Sequence, residues 1–212
     1  MWRKLWLFLV LVRLYFAFQP SYIHPDEHFQ GPEVITGLVF GRPSHQTWEF
    51  KSSNAIRSYF PLWLIYGAPL TLLKWIWEGL GYGPVPAHVA FYALRLVMFM
   101  LSFILEDWAI HELIPLPKHR QTAITLIASS YATWTFQTHT FSNSIETLTV
   151  LWVLVLIRRI RDDPAHTQST ACIVLAFLGA LGIFNRITFP AFILIPAVQL
   201  VPHLLHKPLR IL

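Results

Sequence analysis

Residues 59–78 read Tyr59-Phe60-Pro61-Leu62-Trp63-Leu64-Ile65-Tyr66-Gly67-Ala68-Pro69-Leu70-Thr71-Leu72-Leu73-Lys74-Trp75-Ile76-Trp77-Glu78. Whether they cross a membrane decides how the whole chain is threaded. They are apolar enough to span, yet Pro61, Gly67 and Pro69 interrupt the first half, and Lys74 and Glu78 polarise the second. Further apolar runs lie at 2–19, 87–105, 122–140, 145–160, 171–184 and 188–205. Each is near, or slightly short of, the roughly 17 to 25 residues a spanning helix needs.

The basic residues arbitrate. If 59–78 does not cross, Lys118 and Arg120, then Arg158, Arg159 and Arg161, then Lys207 and Arg210 all fall on the side of Arg3 and Lys4. If it does cross, the first two of those groups move to the opposite face. Cytoplasmic loops carry the excess of Lys and Arg, so the first threading is expected, with 59–78 re-entrant or interfacial. Residues 2–19 then act as an uncleaved signal anchor, since no small-residue cleavage site follows them.

Composition agrees with a polytopic all-α membrane protein. Of 212 residues, 55% are hydrophobic and 13% charged, against roughly 25% charged in a soluble domain. Nine Trp, seven Tyr and sixteen Phe suit aromatic belts at two interfaces. The net charge of +5 is scattered in short groups, which argues against nucleic acid as a partner and for membrane lipids. The single cysteine, Cys172, excludes an intrachain disulfide. The chain stops just past a span at Arg210-Ile211-Leu212, as a piece of a longer protein would.

This threading sends three polar stretches to one non-cytosolic face: the long loop 20–86, the loop 139–146 and the loop 184–189. The first carries His24-Pro25-Asp26-Glu27-His28-Phe29-Gln30. Pro25 followed by two acids suits the first turn of a helix, one expected to run to Gly37 or Gly41. A carboxylate at a partly desolvated interface is suited to general-base work on a hydroxyl, which makes Asp26 and Glu27 the candidate catalytic residues. The plainer role for Asp26 is to cap the helix. A metal held by His24, Asp26 and His28 is conceivable, but the spacing is generic.

In the second loop, Asn143 and Glu146 have the spacing of a capping box; Glu146 could equally bind a sugar hydroxyl. In the third, Arg186, flanked by Asn185 and Thr188, could hold a phosphate through paired N–H donors, and Arg57 at the end of the long loop could do the same. Snorkelling to lipid headgroups is the alternative for both. Trp48-Glu49-Phe50 sets an acid within an aromatic platform, a way to hold a sugar. Arg95 lies inside a span and requires a carboxylate or phosphate partner, while Arg13 has only to face another helix.

The run Tyr22-Ile23-His24-Pro25-Asp26-Glu27-His28-Phe29-Gln30 resembles the first luminal loop of the dolichyl-phosphate-mannose-dependent mannosyltransferases, glycosyltransferase family 22, where a His-Pro-Asp-Glu-x-Phe-Gln signature follows the first span. Gly31-Pro32-Glu33-Val34, Thr47-Trp48-Glu49-Phe50 and Ile56-Arg57-Ser58 are most similar to its fungal members acting on the GPI-anchor precursor. Phe141-Ser142-Asn143-Ser144-Ile145-Glu146 and Gly182-Ile183-Phe184-Asn185-Arg186-Ile187-Thr188-Phe189 also fit, in the right order.

The resemblance covers essentially the whole chain. It implies a single GT-C type membrane module over 1–212, in the endoplasmic reticulum, with a luminal catalytic loop at 20–86. It further implies inverting transfer of mannose from dolichyl-phosphate-mannose to the third mannose of a GPI-precursor glycolipid, as an α-1,2 linkage, with no metal or other cofactor. Asp26, helped by Glu27, would take the hydroxyl proton; His24, His28, Gln30, Glu49, Asn143 and Glu146 would contact substrate; Arg186 or Arg57 would face the departing phosphate. Family members are longer, so this chain would hold the amino-terminal half. A sister enzyme acting on another GPI mannose, or on the lipid-linked N-glycan precursor, would share the acidic signature. A transporter or lipid-binding scaffold would instead line a path with Arg95 and Arg186, but it calls for interrupted spans paired between two halves, a pattern not found here. A truncated, inactive member of the same enzyme family is the third alternative.

Overall fold

A computed structural model describes residues 2–51, 55–162 and 170–202. Every regular element among them is helical. The expected basic pair Lys207 and Arg210, the end of the run 188–205 and the chain's last residues lie outside the described residues. The long helices are α1 (Trp2–Ala17), α6 (Ala87–Leu113), α7 (Pro117–Ala128), α8 (Ser142–Asp162), α9 (Cys172–Asn185) and α10 (Phe189–Val198). Between α1 and α6 lie α2 (Pro25–Phe29), α3 (Pro32–Phe40), a 3-10 turn (Trp48–Phe50), α4 (Tyr59–Leu62) and α5 (Ala68–Gly79).

The bundle is organised on α6, which packs against α1, α3, α5, α7 and α8. Its buried residues Leu94, Arg95, Met98, Phe99, Ser102, Glu106, Ala109 and Ile110 recur at spacings of three and four, one face of a helix. α1 buries a narrower stripe, Leu9, Arg13 and Ala17. It runs antiparallel to α6: Trp6 Nε1 donates to Asp107 Oδ2 at 2.7 Å near one end, and Phe18 stacks on Tyr92 near the other. One apolar core joins α3, α4, α5 and α6 around Ile35, Leu62, Leu70 and Met98. A second joins α8, α9 and α10 around Val153, Ile157 and Phe189.

This packing gives the molecule two unlike ends. At one, Arg159 of α8 pairs with Glu112 of α6 at 2.7 Å, and Arg158 donates to the carbonyls that close α6. At the other meet α2, the start of α8 and the α9–α10 turn. Basic clusters and polar signatures are thus segregated along the bundle.

Three expectations about helix continuity need correcting. The interruption expected within 59–78 is not seen, and residues 59–79 are helical throughout: α4 and α5 are joined by a π turn, Trp63–Gly67. Pro61 sits in the first turn, where its missing N–H costs little, and the wider turn precedes Pro69, which would otherwise leave a carbonyl unpaired within the helix. Conversely, 122–140 is not one helix. α7 ends at Ala128, the chain turns at Ser129 and Ser130, and a π turn follows at Thr133–Gln137. Ser129 Oγ bonds back to the Leu126 carbonyl, and the indole of Trp134 takes the Ala128 carbonyl at 2.7 Å, so side chains satisfy the break. Lastly, the helix expected from Pro25 is two helices. Pro32 restricts the residue before it, and Gly31 takes the bend with φ −153° and ψ −80°; α3 does end on Gly41, in the left-handed conformation at φ 65°.

Among the described residues, taken helix by helix, α6 is the one long and apolar enough to cross a membrane by length and composition; α9 and α10 are apolar but shorter, and 59–79 is divided by its π turn into shorter helices. The α9–α10 hairpin closes tightly because Gly182 leaves room for the ring of Phe189. A Cβ there would lie 2.4 Å from the ring. That close approach fixes the polar turn at 185–188.

Candidate active site

Successive residues on a helix point about 100° apart, and the short helix α2 uses this to separate its two acids. Asp26 faces outward, with 52% of its side chain exposed. Glu27 faces inward and is fully buried. The cap of α2 is His24, whose Nδ1 accepts from the Asp26 N–H at 3.2 Å; capping is therefore not the role of Asp26. His28 stacks on Tyr22 and leans on Phe91 of α6.

Glu27 is held at the inner side of α2 by two groups distant in sequence. Arg95 Nη2 stands 2.7 Å from Glu27 Oε1, and His139 Nδ1 stands 3.0 Å from the same oxygen. The carboxylate partner that Arg95 required is Glu27. These are ion-pair distances, but the angles miss hydrogen-bond geometry: Glu27 Oε1 and Oε2, Arg95 Nε and Nη1, and His139 Nδ1 all lack a hydrogen-bond partner. Thr140 Oγ1 donates to the Glu27 carbonyl at 3.1 Å, and Arg95 Nη2 donates to the Ser21 carbonyl at 3.0 Å. Burial works against the charge on Glu27, but contact with His139 and Arg95 outweighs it and holds the carboxyl below its ordinary value. Burial pushes His28 down as well, against the opposing pull of Glu27.

The second and third polar loops meet next to this cluster. Arg186 reaches Glu146 Oε2 at 3.2 Å through Nε, and its Nη1 donates to Asn143 Oδ1 and to Ser142 Oγ. Thr188 Oγ1 donates to Glu146 Oε1 at 3.2 Å, and Asn185 Nδ2 to the Ser142 carbonyl at 3.0 Å. Asn143 and Glu146 lie inside α8, which begins at Ser142, so they bind the neighbouring loop and do not form a capping box. Gln30 joins the edge of this group at Ser142, with 3.5 Å between Gln30 Oε1 and Ser142 Oγ.

Glu49 and Arg57 stand apart, paired with each other at 3.2 Å and each only 12% exposed. Backbone donors of Ile56 and Arg57 close the same turn on the Glu49 carbonyl. The guanidinium of Arg57 is thus occupied within its own loop. Among the described residues, no three His, Cys, Asp or Glu side chains gather as a metal would require; the rings of His24 and His28 are engaged by the cap and by aromatic stacking.

Two features of the site were not anticipated from the chain. His139 and Thr140 stand where the apolar run 122–140 meets the loop 139–146, and a histidine at the end of such a run is the signal of a buried polar role. Tyr66, from the π turn, is buried with its ring 3.0 Å from where a Gly31 Cβ would lie. A cleft of about 360 Å³ opens beside α2, lined by His28, Glu33, Thr36, Arg42 and Ser44. A separate apolar groove of similar volume runs between α6, α8 and α9, past Leu105, Leu148 and Leu178.

Among the described residues the chain is helical, and its polar loops gather at one end around α2, the start of α8 and the α9–α10 turn. The model of the Alg9-like mannosyltransferase family matches residues 4–211, and the chain belongs to that family. It is 55% identical over 208 residues to GPI mannosyltransferase 4 of Aspergillus oryzae and 54% identical over 209 residues to that of Emericella nidulans. It is 40% identical over 207 residues to human GPI alpha-1,2-mannosyltransferase 4. These matches take in 98%, 99% and 92% of the chain but only 38%, 38% and 35% of the relatives. The chain thus spans well under half of their length. No solved structure matches it.

Proposed function

We propose that the chain carries the base and part of the substrate site of an α-1,2-mannosyltransferase that adds the fourth mannose to the GPI precursor from dolichyl-phosphate-mannose. The observation that carries this reading is the division of labour on α2: Glu27 is buried, which leaves Asp26 as the accessible carboxylate of that helix. The chemistry is a single displacement. Asp26 takes the proton from the 2-hydroxyl of the third mannose, and the oxygen attacks the anomeric carbon of the donor sugar opposite the phosphate. The bond from that carbon to the phosphate oxygen breaks, and dolichyl phosphate departs with both electrons.

Arg186 is about a quarter exposed and steadied by Glu146 and Asn143; in this reading it faces the charge that develops on the phosphate. His28 and Gln30 flank the base and contact the sugars, with the cleft beside α2 as acceptor space. The apolar groove along α6, α8 and α9 suits the donor's isoprenoid chain. In this reading the helices lie in the endoplasmic reticulum membrane, cross it several times, and present the Asp26 end to the lumen.

The test follows labelled GPI intermediates in cells lacking the fourth mannosyltransferase, complemented with the protein or with Asp26→Asn. Conversion of the three-mannose to the four-mannose species, lost in the variant at equal membrane level, is expected. Undiminished conversion by Asp26→Asn would overturn the assignment of the base.

A further inference from the structure

We infer that Arg95 and His139 are positioning residues for transfer: by gripping Glu27 from two other elements, they set where the neighbouring Asp26 carboxylate stands. The inference rests on the reading of Asp26 as the base.

α2 has five residues, too few to hold its shape alone. Its orientation must come from tertiary contacts. Those contacts converge on Glu27: the Arg95 guanidinium and the His139 ring on its carboxylate, and the Thr140 hydroxyl on its carbonyl. Arg95 also holds the Ser21 carbonyl, so a single side chain of α6 fixes both the entry to α2 and its inner face. Because adjacent helical residues keep a fixed angle, any shift of Glu27 moves Asp26 with it.

The cluster differs from a pair built for stability alone. A fully buried carboxylate and guanidinium are costly to desolvate, and only complete hydrogen bonding offsets that. Here two cationic groups converge on one oxygen: Arg95 Nη2 and His139 Nδ1 stand 2.7 and 3.0 Å from Glu27 Oε1. The grip orders α2 from α6 and from the segment at His139 and Thr140, and its effect falls one residue away, on the exposed acid.

The protein in nanodiscs tests this by two readouts: hydrogen exchange of residues 22–30, and transfer kinetics per folded molecule. Arg95→Met should raise exchange across that segment by about tenfold or more. It should also lower kcat on the order of a hundredfold, the cost of roughly an ångström of misplacement, with KM nearly unchanged. Arg95→Lys, which keeps the charge, should recover much of both. Asp26→Asn should lose turnover with no change in exchange. Wild-type exchange or wild-type kcat in Arg95→Met overturns the proposal. Should that variant fail to fold, His139→Gln gives the same readouts at smaller amplitude, and wild-type values there overturn it equally. If Arg95→Met loosens the segment while Asp26→Asn still turns over, the assignment of the base has failed and the grip on α2 stands.

Discussion

The molecule contains two buried carboxylate–arginine pairs on the same helix, and they serve different ends. Toward the basic end of α6, Arg13 of α1 donates to Glu106 at 2.7 Å, with 3% and 7% of the side chains exposed. Neither residue is left with an unsatisfied buried atom. Toward the other end, Arg95 meets Glu27 at the same distance, both side chains fully buried, and a histidine shares the carboxylate oxygen. The first pair joins two long helices that are already rigid. The second holds a five-residue helix whose neighbouring acid faces solvent. Similar ionic chemistry therefore fastens a frame in one place and aims a functional group in the other; the difference lies in what the carboxylate is attached to.

The largest expected effect separates the two roles. Asp26→Asn should reduce transfer by about 10²- to 10⁴-fold, the usual contribution of a general base, with the melting temperature in detergent unchanged. Arg13→Met should do the reverse. It leaves Glu106 buried without its cation, which costs about 3–5 kcal/mol, read as a lower melting temperature with kcat per folded molecule preserved. Adding Glu106→Met should recover most of that stability, because the uncompensated charge is then gone. If Arg13→Met reduced kcat as deeply as the site variants do, the contrast between the pairs would be lost.

Next in size is packing that supports the site from outside it. Gly182→Ala forces a methyl against the buried ring of Phe189 and should destabilise by about 1–3 kcal/mol. It should also weaken the Arg186 loop, seen as a lowered kcat. Trp134→Phe removes the donor that satisfies the Ala128 carbonyl and should cost about 1 kcal/mol, with little effect on transfer.

The smallest effect is one of pH. His28 is held below its ordinary value of 6.5, so between that value and its folded one the unfolded chain binds a proton the folded chain refuses. Stability should therefore decline as pH falls below about 6.5, and His28→Gln should flatten that decline. Glu27, held below its ordinary 4.5, stabilises the fold above that value. Its contribution is lost only as the pH falls from about 4.5 through its lower folded value, a second and separate step.

Much of this architecture is legible in the chain. The low charge and long apolar runs specify helices, because backbone groups away from water must bond within their own segment. The grouping of Arg3, Lys4, Lys118, Arg120 and the arginines of α8 apart from the His24–Gln30, 141–146 and 185–188 stretches is also readable from the alternation of runs. Helix breaks are not. Pro69 reads as an interruption yet sits in a continuous helix, because a π turn absorbs it. The apolar run 122–140 reads as continuous yet is broken, because Trp134 reaches back to a freed carbonyl.

The site divides along the same line. Residue type and order mark Asp26, Glu27, Asn143, Glu146 and Arg186 as chemically costly in such a chain, and so as members of a site. Which acid is accessible, which arginine is occupied by its own loop and which cation meets Glu27 depend on contacts between residues far apart in sequence, such as 27 with 95 and 139, or 142 with 186. Composition and spacing record the cost of placing a charge in an apolar chain; only the folded packing decides which partner offsets it.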